Sequence, residues 1–250
     1  MIKSIKKSEF KLDYINDLFA QNYAVVKIDE FINKMELSCL LASIAAFDFK
    51  TKFFFDKAAG WAYPLPFSLV NEYDRAIYLE KCRCDFIIDL IHNITIESFI
   101  FNYFLTQTGL SVLPLTLGAR FNFASPPMLT YRHLNSGSGG MNTHRGIELN
   151  RLYHASFYEH ITCPIDLDLG QLGFFLQLQK PDSGGVLRVF EGEVTENKFI
   201  DIESKIGELV LVNESAYWHA VTPISGHTDR LTIGGFLSYA QDKKSFYAWS

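Results

Sequence analysis

The sequence predicts a mainly β protein with helical additions, a barrel or sandwich whose strands concentrate after residue 110. Two observations carry this. From Leu113 onward, short runs rich in β-branched and aromatic residues recur: "LTLGARFNFA", "GFFLQLQ", "GVLRVFEG", "ELVLVN" and "LTIGGFLSYA". Gly, Pro, Asp and Ser punctuate them at turns. Before that point, apolar residues recur at helical spacing. A length of 250 residues suits one domain of this class, and 48% apolar content with 22 Phe supplies a large core.

In chain order, "NYAVVKID" (Asn22 to Asp29) reads as a strand and "EFINKMELSCLLASIAAF" as a helix. Residues Ala76 to Leu105 carry one or two further helices, ended by a turn at Thr108-Gly109. The expected organisation is a mostly helical part over residues 1–110 packed on a β core over residues 111–250. No polar linker separates them, so residues 1–250 read as a single domain.

Composition excludes several classes. The net charge is -5 and no long basic run occurs, so no nucleic-acid partner is expected. No apolar run reaches membrane-spanning length, because Asp89, His92, Asn93 and Glu97 interrupt the best one. The charged N-terminus does not read as a secretory signal. Cys39, Cys82, Cys84 and Cys163 form neither a disulfide framework nor paired zinc knuckles. Reduced thiols and a cytoplasmic location are expected.

Four fragments carry the chemistry. His144 lies in "NTHRG". "LQKPDSGGVLRVFEG" reads as a hairpin turning at Gly184-Gly185. "GELVLVNESAYWHAVTPI" holds His219, and "GHTDRLTIGGF" holds Arg230 and Thr232. In this order and spacing the fragments resemble the iron(II)/2-oxoglutarate-dependent oxygenase superfamily, over roughly Leu113 to Tyr239. The resemblance implies a double-stranded β-helix (jelly-roll, cupin-like) core. It also implies Fe(II) held by His144 and His219, with open positions for co-substrate and O2. 2-Oxoglutarate would chelate the metal at one end, and Arg230 would grip its far carboxylate as a planar bidentate fork. Thr232, two residues on along a strand, shares that face and adds a hydroxyl. Tyr131 is a further candidate for the same carboxylate.

The superfamily's usual motif places Asp or Glu two residues after the first histidine, whereas this chain has Gly146. Such a glycine resembles the halogenase subset of the superfamily, in which chloride or bromide takes the carboxylate's place on the metal. The exchange preserves charge, because one halide supplies the single negative charge that a carboxylate would. Glycine would leave an empty volume for the ion beside the metal. Three rival readings stay open. Glu148 could bend back as the missing carboxylate, giving a hydroxylase. His154 or His160 could be the true ligand. The chain could be a non-catalytic binding jelly roll.

Between His144 and Gln171 lies a candidate active-site cover, in which Tyr153, Phe157 and Glu159 could line a substrate pocket together with Trp249. Packing of these aromatics against the barrel is the alternative reading. The expected partners are O2 and a free small molecule, with a carrier-bound substrate the lesser alternative.

Overall fold

A computed structural model describes residues 2–46, 53–56, 60–63, 94–116, 125–146 and 164–250. Its core is a jelly roll of two sheets. The strand path alternates between them: β6 (Thr130–Leu134) in the large sheet, β7 (Met141–His144) in the small one, β8 (Leu172–Gln179) in the large. The alternation continues through β10 (Leu187–Phe190) and β11 (Phe199–Ile202) in the small sheet to β12 (Leu209–Val212) in the large. It ends with β13 (His219–Val221) in the small sheet and β15 (Arg230–Tyr239) in the large.

The large sheet extends well beyond this core. β1 (Ile2–Lys6) pairs in parallel with β2 (Val25–Asp29), which adds antiparallel to β12. β3 (Phe53–Asp56) and β4 (Gly60–Tyr63) add beyond β6. β16 (Ser245–Trp249) pairs with the second half of β15 and carries β5 (Ser111–Pro114). Among the described residues, the N-terminal part therefore donates four strands to the β core besides the helices α1 (Leu12–Phe19), α2 (Lys34–Ala46) and α3 (Ile94–Thr108). α2 begins at a capping box: the Asn33 side chain accepts from the amides of Met35 and Glu36, and Glu36 accepts from the Asn33 amide.

The two faces of the large sheet differ in what covers them. The outer face packs on the helices. Ile15 and Leu18 from α1, and Ile100 and Phe104 from α3, meet Phe174, Leu176, Leu209, Leu211 and Ile233. Each such side chain contributes about 1.5–3 kcal/mol on burial. The inner face meets the small sheet through Val25, Val210 and Val212 against Leu187, Val189 and Ile202. β12 is buried on both faces, which is why "LVLV" is continuously apolar rather than alternating.

The glycine pair Gly184-Gly185 does not turn a hairpin. β8 pairs with β12 and β15, whereas β10 pairs with β11 and β13 in the other sheet. The intervening β9 (Ser183–Gly184) pairs instead with β14 (Ile224–Ser225). Both glycines have positive φ, 72° and 63°. A Cβ at Gly184 would stand 1.8 Å from the Pro223 carbonyl oxygen, and one at Gly185 would stand 3.1 Å from Arg230 Cδ. The pair thus lets the chain cross between sheets flush against Arg230.

Candidate metal and co-substrate site

The two histidines meet because β7 and β13 pair. His144 and His219 are direct cross-strand partners, with ring centroids 4.2 Å apart. Past this pair the register shifts: Val221 partners Met141, so β7 carries an extra residue opposite Ala220. A bulge there turns the end of β7 and re-aims its side chains. The rings are anchored alike, although their planes are tilted by 60°. His144 Nδ1 lies 2.8 Å from the Asn142 carbonyl oxygen, and His219 Nδ1 lies 3.2 Å from that of Tyr217. A carbonyl only accepts, so each Nδ1 donates to it, which is the arrangement that turns Nε2 outward as the nitrogen for a metal.

Gly146 follows on a segment braced by the loop after β12. Its amide donates to the Glu214 carbonyl at 2.9 Å, and its carbonyl accepts from the Ser215 hydroxyl at 3.1 Å. Arg145 Nε donates to the Ser215 carbonyl at 2.8 Å, so Arg145 serves this brace. The volume beside Gly146 is not the open space expected. A Cβ there would stand 2.8 Å from Glu214 Cβ and 2.9 Å from Gln171 Nε2. Gly173 yields room to the same carboxylate, because a Cβ there would stand 2.1 Å from Glu214 Oε1. Glu214 Oε1 in turn lies 3.6 Å from His219 Nε2. Among the described residues, no cluster of three His, Cys, Asp or Glu side chains is arranged to hold a metal. The crowding predicts that Gly146→Ala destabilises the fold by about 1–3 kcal/mol, as overpacking does. Urea unfolding of the metal-free protein measures it.

At the other end of the interior sits Arg230, 4% exposed. Its guanidinium lies 5.2 Å from the centre of the Phe175 ring and has no acidic partner among the described residues. Burial, with the nearby Arg132 charge, pushes its pKa down to about 10. A buried cation without a counter-ion is costly, and a dianionic co-substrate supplies one. Thr232, 1% exposed, lies two residues along β15 on the same face. The loop before β15 is held by Asp182, which accepts from the His227 and Thr228 amides and the Thr228 hydroxyl. These hydrogen bonds, the His227 amide foremost, keep its carboxyl below the usual range.

Tyr131 does not join this group. It partners Ile233 across β6 and β15, and both belong to the helix-covered core. Strand alternation therefore places it on the face opposite Thr232. Its neighbour Arg132, opposite Thr232, faces the interior, with its guanidinium 5.5 Å from the centre of the Phe236 ring. Trp249 is buried beside Phe236, ring centroids 5.9 Å apart, and so lines the same interior. Tyr153, Phe157 and Glu159, like Glu148, His154 and His160, lie outside the described residues. Glu214, Gln171 and Arg132 have no motif of their own: the β6–β15 register places Arg132, and the loop tied by Ser215 brings Glu214 and Gln171 to Gly146.

The residues fit the groups that the fold implies. Two imidazoles stand side by side on paired strands, and a buried guanidinium with no acidic partner among the described residues lies within the same jelly roll. A jelly roll so equipped has the fold of the iron(II)/2-oxoglutarate oxygenases, and comparison with known proteins agrees. Residues 191–250 match the family described as carrier-protein-independent halogenase WelO5. That segment holds Glu214, His219, Arg230, Thr232 and Trp249, but not His144 or Gly146. No curated protein matches the sequence. Among solved structures, an N-substituted L-amino acid dioxygenase from Burkholderia ambifaria aligns with a TM-score of 0.60 at 14% identity, covering 96% of this chain and 92% of that one. The same enzyme in complex with alpha-KG aligns at 0.60 and 17% identity, covering 95% and 90%. An oxidoreductase of the 2OG-Fe(II) oxygenase family from Burkholderia pseudomallei aligns at 0.53 and 12% identity, covering 98% and 99%.

Proposed function

We propose that this chain is an iron(II)/2-oxoglutarate-dependent halogenase acting on a free small molecule. The observation that carries the reading is the register-paired His144 and His219, followed by a glycine where the fold's usual carboxylate would stand. His144 and His219 would hold Fe(II), Arg230 and Thr232 the distal carboxylate of 2-oxoglutarate, and a chloride or bromide would lie beside Gly146. When bound, the metal and its co-substrate activate O2 for removal of hydrogen from an unactivated C–H bond. The balanced reaction is R–H, halide, 2-oxoglutarate, O2 and one proton giving R–halide, succinate, CO2 and water. The C–H bond and 2-oxoglutarate each supply two electrons.

The protein's own contribution is placement. The two carbonyl-anchored imidazoles fix where the metal sits. The buried Arg230 fixes how far the diacid reaches, and hence which metal positions remain for halide and O2. Trp249 and Phe236 give the interior an apolar wall that excludes water from the reacting carbon. The matched family's carrier-independent description favours a free substrate, and the aligned dioxygenase, named for N-substituted L-amino acids, favours an amino-acid-like one. O2 is the second substrate.

One observation favours a second reading, hydroxylation. The Glu214 carboxylate, 3.6 Å from His219 Nε2, is near enough to swing onto the metal as the missing acidic ligand. Crystals of the Fe(II)–2-oxoglutarate complex grown in bromide separate the two. An anomalous bromide peak bonded to the metal beside Gly146 is the expected result. A Glu214 oxygen in that position overturns the halogenase reading in favour of hydroxylation.

A further inference from the structure

Gln171 takes no part in the site as described, yet it is placed to. It is 1% exposed, and neither Nε2 nor Oε1 has a hydrogen-bond partner among the described residues. Buried side-chain amides rarely stay unpaired. Its backbone is fixed, because its amide donates to the Ser215 hydroxyl at 2.8 Å, and that hydroxyl bonds the Gly146 carbonyl. One serine thus ties Gln171 to Gly146. The side chain follows, with Nε2 2.9 Å from where a Cβ at 146 would stand. The uncommitted amide therefore ends in the space beside Gly146 that Glu214 also borders.

The chemistry of the slot selects the ligand. A terminal amide offers two N–H donors and no charge. Glu214 borders the same space with a carboxylate, so an anion entering it meets repulsion on one side and needs a donor on the other. Ser215 commits its hydroxyl to Gly146, whereas Gln171 Nε2 is uncommitted and stands 2.9 Å from the Cβ position of residue 146, so Gln171 is placed to provide that donor. An ion without direction of its own, such as a halide, takes its placement from such a donor. We infer that the Gln171 side-chain amide donates a hydrogen bond to the halide beside Gly146 and thereby sets its affinity and position. The inference rests on the halogenase reading.

The test is a chloride and bromide titration of the anaerobic Fe(II)–2-oxoglutarate complex, read by its visible charge-transfer band. Wild type is expected to show a halide-dependent band shift. Gln171→Met, close in length but without a donor, should keep the band and need roughly tenfold more halide for half-saturation, the effect of losing one hydrogen bond to an ion. Gln171→Glu should keep the band and lose the halide response. Variants that saturate at the wild-type halide concentration overturn the inference and leave the halogenase reading standing. A wild type that forms the band but ignores halide, or forms no band, overturns both. Should the variants fail to fold, the bromide-grown wild-type crystals decide. Nε2 within hydrogen-bond distance of bromide supports the inference, and an amide turned away overturns it.

Discussion

Replacing His219 by alanine is expected to remove the charge-transfer band of the anaerobic Fe(II)–2-oxoglutarate complex and all 2-oxoglutarate consumption. His219 is 3% exposed on a three-residue strand, and its ring orientation is set by the Tyr217 carbonyl. Changing the partner that orients a ligating histidine typically costs 10–100-fold in metal affinity, so loss of the ligand itself should exceed about 100-fold. One imidazole, His144, cannot hold a divalent ion against water. Isothermal titration of Fe(II) or Mn(II) into the anaerobic protein reads the loss directly, with His144→Ala expected to behave the same. Unaltered metal binding in His219→Ala would mean that the paired histidines are not the metal site. A control in circular dichroism should show the sheets intact, because removing a polar ring leaves the β7–β13 backbone pairing in place.

The second large effect has two opposite signs in one variant. Arg230→Met should weaken 2-oxoglutarate binding by at least about 30-fold, since truncating one partner of a buried charged pair costs roughly 2–5 kcal/mol. The same substitution should raise the melting temperature of the ligand-free protein. Without co-substrate, the folded chain bears a buried cation, its pKa pushed down to about 10 by burial and by the adjacent Arg132. Methionine follows the same stem past Gly185 and Phe175 without the desolvation penalty. Differential scanning calorimetry with and without 2-oxoglutarate should therefore show the order of stabilities reverse. Wild type should gain strongly from the diacid, by ligand linkage, and Arg230→Met should not respond. A ligand-free variant less stable than wild type would show that Arg230 is paid for by contacts within the fold rather than by a co-substrate.

How much of this was legible in the sequence follows from what each element has to bury. β8, β12 and β15 announce themselves because they are long or wholly buried, and their apolar residues have no other place to go. β6 and β7, "TYRHL" and "MNTH", are short and mix polar with apolar residues, so no apolar run marks them as strands. β1, "IKSIK", is a strand only because β2 offers it an edge. The spacing of His144, His219 and Arg230 was readable since each lies on or beside a recognisable run. Their mutual position was not readable, because it depends on which strands pair. The same limit explains Tyr131. A period of two fixes that Tyr131 and Arg132 face opposite ways but not which of them faces inward. The hairpin expected at Gly184-Gly185 misled because two glycines with positive φ serve a sheet-to-sheet crossing as well as a turn. Glu214 and Gln171 carry no pattern at all, and their place at Gly146 comes from the loop that Ser215 ties down.

The position of β7 has a mechanical consequence. Among the described residues it is the outermost strand of the four-stranded sheet, paired with β13, and its pairing is irregular just beyond the histidines. Unclipped borders of this kind fray first. An ion shared by His144 and His219 would fasten that border to its neighbour. Loading the metal would then slow amide exchange over Met141–His144 far more than in β12, and a chelator would undo the protection before the globule as a whole loosened.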